Sequence, residues 1–171
     1  MAPTGWIDDL ARAWRREYPG RDISPLPPLV RLARLGVLLE AFQHEVLAPF
    51  ELTPADYGVL ALLRRAGRPY ELTPSRLTSN LRRSSGGITK MVTRLEARGL
   101  VRRTPDPDDG RGCRVRLTRA GAALQERVFA SFLSASSDLL APLGALRDTD
   151  RELERLLGAF ELRTEAEEEV A

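Results

Sequence analysis

Residues 84–94 read SSGGITKMVTR, and the polar members Ser84, Ser85, Thr89, Lys90, Thr93 and Arg94 are spaced so that a helix gathers them on one side. The apolar members Ile88 and Val92, with Leu95 beyond them, fall at i, i+4 and i+7 on the opposite side. Hydroxyl, ammonium and guanidinium groups along one helix face are the groups that reach base edges in the major groove of DNA, while the amides of the first turn face phosphate. Lys90 is the only lysine in the chain. Ser84 has the chemistry of an N-cap, and Gly99 that of a C-terminal stop.

A second stretch, RRTPDPDDGRGCRVR at residues 102–116, sets five arginines around three aspartates. Its flanks, LVRRT and CRVRLT, alternate with a period of two and predict antiparallel strands joined by a tight turn rich in Pro, Asp and Gly. Such a hairpin is a wing, and its tip would carry Arg111 toward the minor groove, which attracts arginine where it is narrow. Asp109, two residues earlier, is placed to hold the Arg111 guanidinium by hydrogen bonds while the aspartates turn the chain.

Other chemistries find few residues to use. His44 and Cys113 are the only histidine and cysteine, too few for a typical structural zinc site, so no metal is expected. SSGGITK lacks the strand–loop–helix spacing of a phosphate-binding loop, and no cofactor is expected. His44 is expected as a packed or interface residue and Cys113 as a small strand residue, since a resolving cysteine is absent from the chain.

These groups need a frame, and the frame predicted is mainly α. GWIDDLARAW carries Trp6, Ile7, Leu10 and Trp14 at helical spacing, and a long helix is predicted from about Leu26 to Leu47 with prolines in its first turn. Thr53 before Pro54, and Thr73 before Pro74, mark two further helix starts, with Asp56 three residues after the first cap. Thr118 opens a helix to about Leu140, and a last one runs from about Asp148 to Arg163. The expected organisation is N-terminal helices over 1–50, a winged helix-turn-helix over 51–118 and C-terminal dimerisation helices with an acidic tail over 119–171. The fold class is therefore mainly α with a small β-hairpin wing, flanked by helical dimerisation arms.

Composition agrees with a globular, soluble chain. Hydrophobic residues are 43% and charged residues 29% of 171, and no apolar run approaches the roughly 20 residues of a membrane span. The N-terminal sequence has no secretion signal, so a cytoplasmic location is expected. Net charge is only +2, but residues 81–120 hold eleven basic and four acidic side chains, and residues 148–171 nine acidic and three basic. A basic middle fits a polyanionic partner. The acidic end from Thr164 is expected to be unstructured.

The combination of LTPADYGVLALLRRAG, ITKMVTRLEARGLVRRTPDPDDGRG and RVRLTRAGAAL resembles the MarR family of winged-helix transcriptional regulators, from about Leu29 to Phe160. The family wing reads Asp, basic residue, Arg; Asp109 and Arg111 match, with Gly110 between them. The resemblance implies a homodimer on double-stranded DNA, its two recognition helices in successive major grooves about 34 Å apart, acting by default as a repressor and not as an enzyme. The N-terminal helix makes the chain most similar to the urate-responsive branch of that family. Trp14 and Arg103 match that branch's sensing residues, whereas Gly58 stands in place of an aspartate and Met91 in place of an arginine. This implies a cleft lined by Trp14, Tyr57, Met91 and Arg103 for a small, mostly apolar aromatic anion, with Arg103 meeting its acidic group and Trp14 covering it. Two functions stay open: a ligand-responsive, sequence-specific DNA-binding regulator, and a winged-helix module that docks an acidic protein without reading DNA.

Overall fold

The computed structural model describes residues 5–107 and 112–168, the last six as backbone only. Its order is α1 (Gly5–Glu17), α2 (Leu26–Leu47), α3 (Pro54–Arg65), β1 (Glu71–Leu72), α4 (Pro74–Leu81), α5 (Ser85–Ala97), β2 (Val101–Pro105), β3 (Cys113–Leu117), α6 (Arg119–Leu140) and α7 (Leu146–Glu168), with a short 3-10 turn after each of α2 and α6. No single helix among the described residues is long and apolar enough to cross a membrane. The chain divides into two compact units, Met1–Phe129 and Ala130–Ala171.

In the first unit, side-chain caps start the short helices where the sequence places them. Thr53 Oγ1 accepts the Asp56 amide, and Asp56 returns a bond to the Thr53 amide, completing a capping box. Thr73 caps α4, Ser84 caps α5, and the Thr118 hydroxyl accepts the Gly121 amide at the start of α6. α5 ends at Gly99, whose φ of +68° lets the Leu100 amide return to the Leu95 carbonyl. The fully buried side chains Val59, Leu63, Leu77, Ile88, Leu95 and Val115 come from α3, α4, α5 and the sheet. They form one core beneath the helix-turn-helix.

The sheet is three-stranded and antiparallel in the order β1-β3-β2. β2 and β3 pair from Val101 with Leu117 to Pro105 with Cys113, as the alternation predicts. The strand β1, pairing Glu71 with Arg116 and Leu72 with Val115, is absent from the sequence expectation because two residues carry no period to detect. Where β2 meets α6 the backbones nearly touch: a β-carbon on Gly121 would lie 1.9 Å from the Leu100 carbonyl oxygen. Thr118 reinforces the junction by donating to the Gly99 carbonyl at 2.7 Å.

α1 packs on α2, and Arg31 of α2 binds Asp8 of α1 at 2.7 Å. Ile7 and Ala11 are buried, but Trp6 and Trp14 are exposed. Along α2, Leu29, Leu35, Val37, Leu38 and Leu39 are also exposed, the last at 51%. In the second unit, α7 presents Leu153, Leu157, Phe160 and Leu162 to solvent. α7 begins two residues earlier than expected and continues to Glu168, so the expectation of an unstructured end from Thr164 fails for residues 164–168. Glu and Ala are good helix formers and extend the helix into the acidic segment.

Candidate nucleic-acid interface

α4 and α5 are joined by Arg82, Arg83 and Ser84, with Arg82 in the left-handed region at φ +46°. α5 then divides cleanly. Ile88, Met91, Val92 and Leu95 are buried, while Ser84, Ser85, Thr89, Lys90, Thr93 and Arg94 are exposed. Ser84 Oγ accepts the Gly87 amide at 3.2 Å, and the Thr89 hydroxyl donates to the Ser85 carbonyl at 3.0 Å. Each hydroxyl oxygen retains accepting capacity toward solvent. Among the described residues Lys90 makes no hydrogen bond or ion pair, so its three donors face outward.

Arg94, expected at the groove, is engaged within the fold. Its Nε donates to both Asp56 oxygens at 3.1 and 3.2 Å, and its Nη2 to Oδ1 at 2.6 Å. Asp56 is only 2% exposed, and it also accepts from the Thr53 hydroxyl at 2.8 Å. The Asp56 hydrogen bonds hold the guanidinium above its ordinary pKa. Arg94 thus spends its fork on clamping α5 to the cap of α3. Arg98 does the same one turn later by donating to the carbonyls of Phe50 and Glu51, at the end of the 3-10 turn between α2 and α3. Sequence reasoning had no means of pairing residues 38 positions apart.

Thr93 is also engaged. Arg103 of β2 donates to the Thr93 hydroxyl oxygen at 3.0 Å and forms an ion pair with Glu96. The wing base is braced similarly, with Arg114 Nε on Asp106 Oδ1 at 2.9 Å and its Nη1 3.6 Å from Glu71. An aspartate does therefore steady an arginine in the wing, at Asp106 and Arg114. Asp109 and Arg111 lie outside the described residues. Arg83, exposed immediately before the cap, was missed by sequence reasoning; its adjacency to Ser84 was the available signal.

The four residues expected to line one ligand cleft are not assembled by the described contacts. Trp14, 42% exposed, stacks on Tyr18 with centroids 5.5 Å apart. Tyr57 shares a hydrogen bond with Gln125, and burial pushes its hydroxyl pKa up. Arg103 is held by Glu96 and Thr93. Met91 alone of the four lines a cleft of about 220 Å³, with Gln43, Pro54, Ala55, Gly58, Leu81 and Arg83. Gly58 is there for a steric reason as well, since a β-carbon would approach Leu81 Cδ2 to 3.3 Å. The two positions that depart from the urate-responsive pattern, Gly58 and Met91, share this cleft. Among the described residues no group of three or more His, Cys, Asp or Glu side chains could hold a metal ion.

A capped helix pair, an antiparallel hairpin and a supporting strand over one core define a winged helix-turn-helix. This chain belongs to the MarR family, whose family model matches residues 50–112. It is 32% identical over 155 residues to the HTH-type transcriptional regulator PecS of Dickeya dadantii, covering 91% of this chain and 92% of that one. It is 35% identical over 106 residues to the multiple antibiotic resistance protein MarR of Escherichia coli, covering 62% and 70%. A crystal structure of a cysteine-to-serine mutant of E. coli MarR complexed with operator DNA superposes with a TM-score of 0.66 at 33% identity, over 78% of this chain and 93% of that one.

Proposed function

We propose that the chain is a homodimeric, sequence-specific DNA-binding transcriptional regulator, acting as a repressor on a pseudo-palindromic operator. One observation carries the reading: Lys90, unpaired among the described residues, stands beside Ser85 and Thr89 on the exposed face of a helix that Arg94 and Arg98 fix in place. A rigid helix that leaves its donors unused is suited to base edges. Family membership and the operator-bound MarR relative support it. In this reading residues 51–118 read DNA, with Arg111 at the wing tip held by Asp109, and residues 1–50 and 119–171 supply the dimer arms. The exposed apolar stripes of α2 and α7 support the arms, because a monomer seldom leaves such stripes in water.

The test is titration with DNA from the gene's own promoter region at several salt concentrations. Affinity should fall steeply with salt through counterion release, and Lys90→Ala should weaken the specific complex by about 1–3 kcal/mol while altering base preference. Promoter and unrelated DNA binding alike, with a shallow salt slope, would favour the acidic-protein module instead. For the arms, a chain lacking residues 148–171 should sediment as monomer or aggregate. A stable dimer of that truncation would move the interface elsewhere.

The Met91 cleft is the proposed effector site. With Gly58 and Met91 replacing an acid and a base, it fits a small aromatic anion, with Arg83 rather than Arg103 nearest its acidic group. Urate should fail to release the operator complex, whereas an aromatic carboxylate should release it. Release by urate at low micromolar levels would reject the altered cleft.

A further inference from the structure

β3 has two ends. Cys113 leads out of the wing, whereas Leu117 runs into α6, about 13 Å away along the strand at the usual rise per residue. At that second end lies a cleft of about 600 Å³ that includes Arg64, Arg68, Tyr70, Arg116 and Arg119 in its lining. Four guanidinium groups around one concavity repel one another, and the structure contains a device that holds two of them. The guanidiniums of Arg64 and Arg68 lie 4.8 and 5.6 Å from the centre of the Tyr70 ring, within the range of cation–π attraction. Tyr70 itself adopts φ +65°, which a bulky side chain rarely takes, and it is fixed there by the Leu117 amide donating to its carbonyl at 3.1 Å.

The available acids do not fill these forks. Glu126 comes no nearer to Arg64 than 3.7 Å, and Glu71 no nearer to Arg116 than 3.9 Å while also facing Arg114. Among the described residues neither Arg119 nor Arg68 makes an ion pair or a side-chain hydrogen bond, and Arg68 rests over the Tyr70 ring. Guanidinium forks engage phosphoryl oxygens two at a time, and four positive charges around one concavity are balanced more nearly by a diphosphate, about −3 at neutral pH, than by inorganic phosphate, about −2. The volume lies in the range of small-molecule sites.

We propose that this cleft binds a small diphosphate-bearing anion, of the class of pyrophosphate or a nucleoside diphosphate, at a site separate from α5 and at the α6 end of β3. The test is isothermal titration calorimetry on the full chain at physiological salt with pyrophosphate, ADP and inorganic phosphate. Pyrophosphate should saturate one site per chain and bind about tenfold or more tighter than phosphate. ADP binding above pyrophosphate would include the nucleoside in the ligand, and equal binding would assign recognition to the diphosphate alone; either supports the site. The exposed pair Arg68→Ala/Arg119→Ala should lose at least about tenfold, and Arg68→Lys/Arg119→Lys, which keeps charge but not the forks, should fall between. Lys90→Ala should bind pyrophosphate like the parent. Unchanged binding in both double variants, or no preference for pyrophosphate over phosphate, would overturn the proposal. So would an equal loss of duplex DNA binding in the alanine pair, which would assign these arginines to the DNA backbone.

Discussion

Gly121→Ala should destabilise the protein by about 3 kcal/mol or more, the upper end of what overpacking costs. The added methyl would sit 1.9 Å from a backbone oxygen and 2.8 Å from its carbon, at Leu100. A flexible side chain could swing aside, but a carbonyl between α5 and β2 cannot. Relief therefore requires either α6 or the start of β2 to move, and Thr118 joins them through the Gly99 and Leu100 carbonyls. Gly36→Ala is the contrast, because a β-carbon there meets nothing within 4 Å. It should gain up to about 1 kcal/mol from helix propensity. Urea denaturation of both variants beside the parent checks the pair, and a Gly121→Ala midpoint equal to the parent's would mean that α6 does not approach Leu100 so closely.

Asp56→Ala should cost about 3 kcal/mol, a sum of one lost helix cap, about 1 kcal/mol, and charge-assisted bonds of about 2 kcal/mol. The carboxylate is buried and accepts from Thr53 and from two nitrogens of Arg94. Arg94→Ala should cost less, since its side chain is 49% exposed and Asp56 keeps its Thr53 bonds. The double variant should cost less than the sum of the singles, and additivity in that cycle would deny the clamp. Both single variants should also weaken operator binding, because α5 loses an anchor without losing a donor to DNA.

Local signals in the sequence account for most of the architecture. Thr53, Thr73, Ser84 and Thr118 begin their helices as expected because a cap needs only a hydroxyl within three residues of an amide. α2 and the two wing strands follow from their periods. Partner choice is different. Arg94 on Asp56, Arg103 on Glu96 and Arg114 on Asp106 are selections among many arginines and acids, made by tertiary packing. A polar helix face does not reveal which of its charges are paired within the fold, as Arg94 is with Asp56. Trp14 shows the same limit: helical spacing places it on α1, but does not foretell that its ring stacks on Tyr18.

If α5 reads DNA as proposed, its attachment to the start of α3 and to the turn before it turns small rotations into base-pair arithmetic. A helix of 13 residues is about 20 Å long, so a tilt of about 3° about one end carries the other through about 1 Å. One base pair of rise, about 3.4 Å, corresponds to about 10°. With Arg94 fastening α5 to the start of α3 and Arg98 fastening its end to the turn that precedes α3, such a tilt would carry those segments with it. On the proposed dimer, operators whose half-site spacing differs by a single base pair would then be separated by the work of moving these segments with α5, rather than by the bending of one loop.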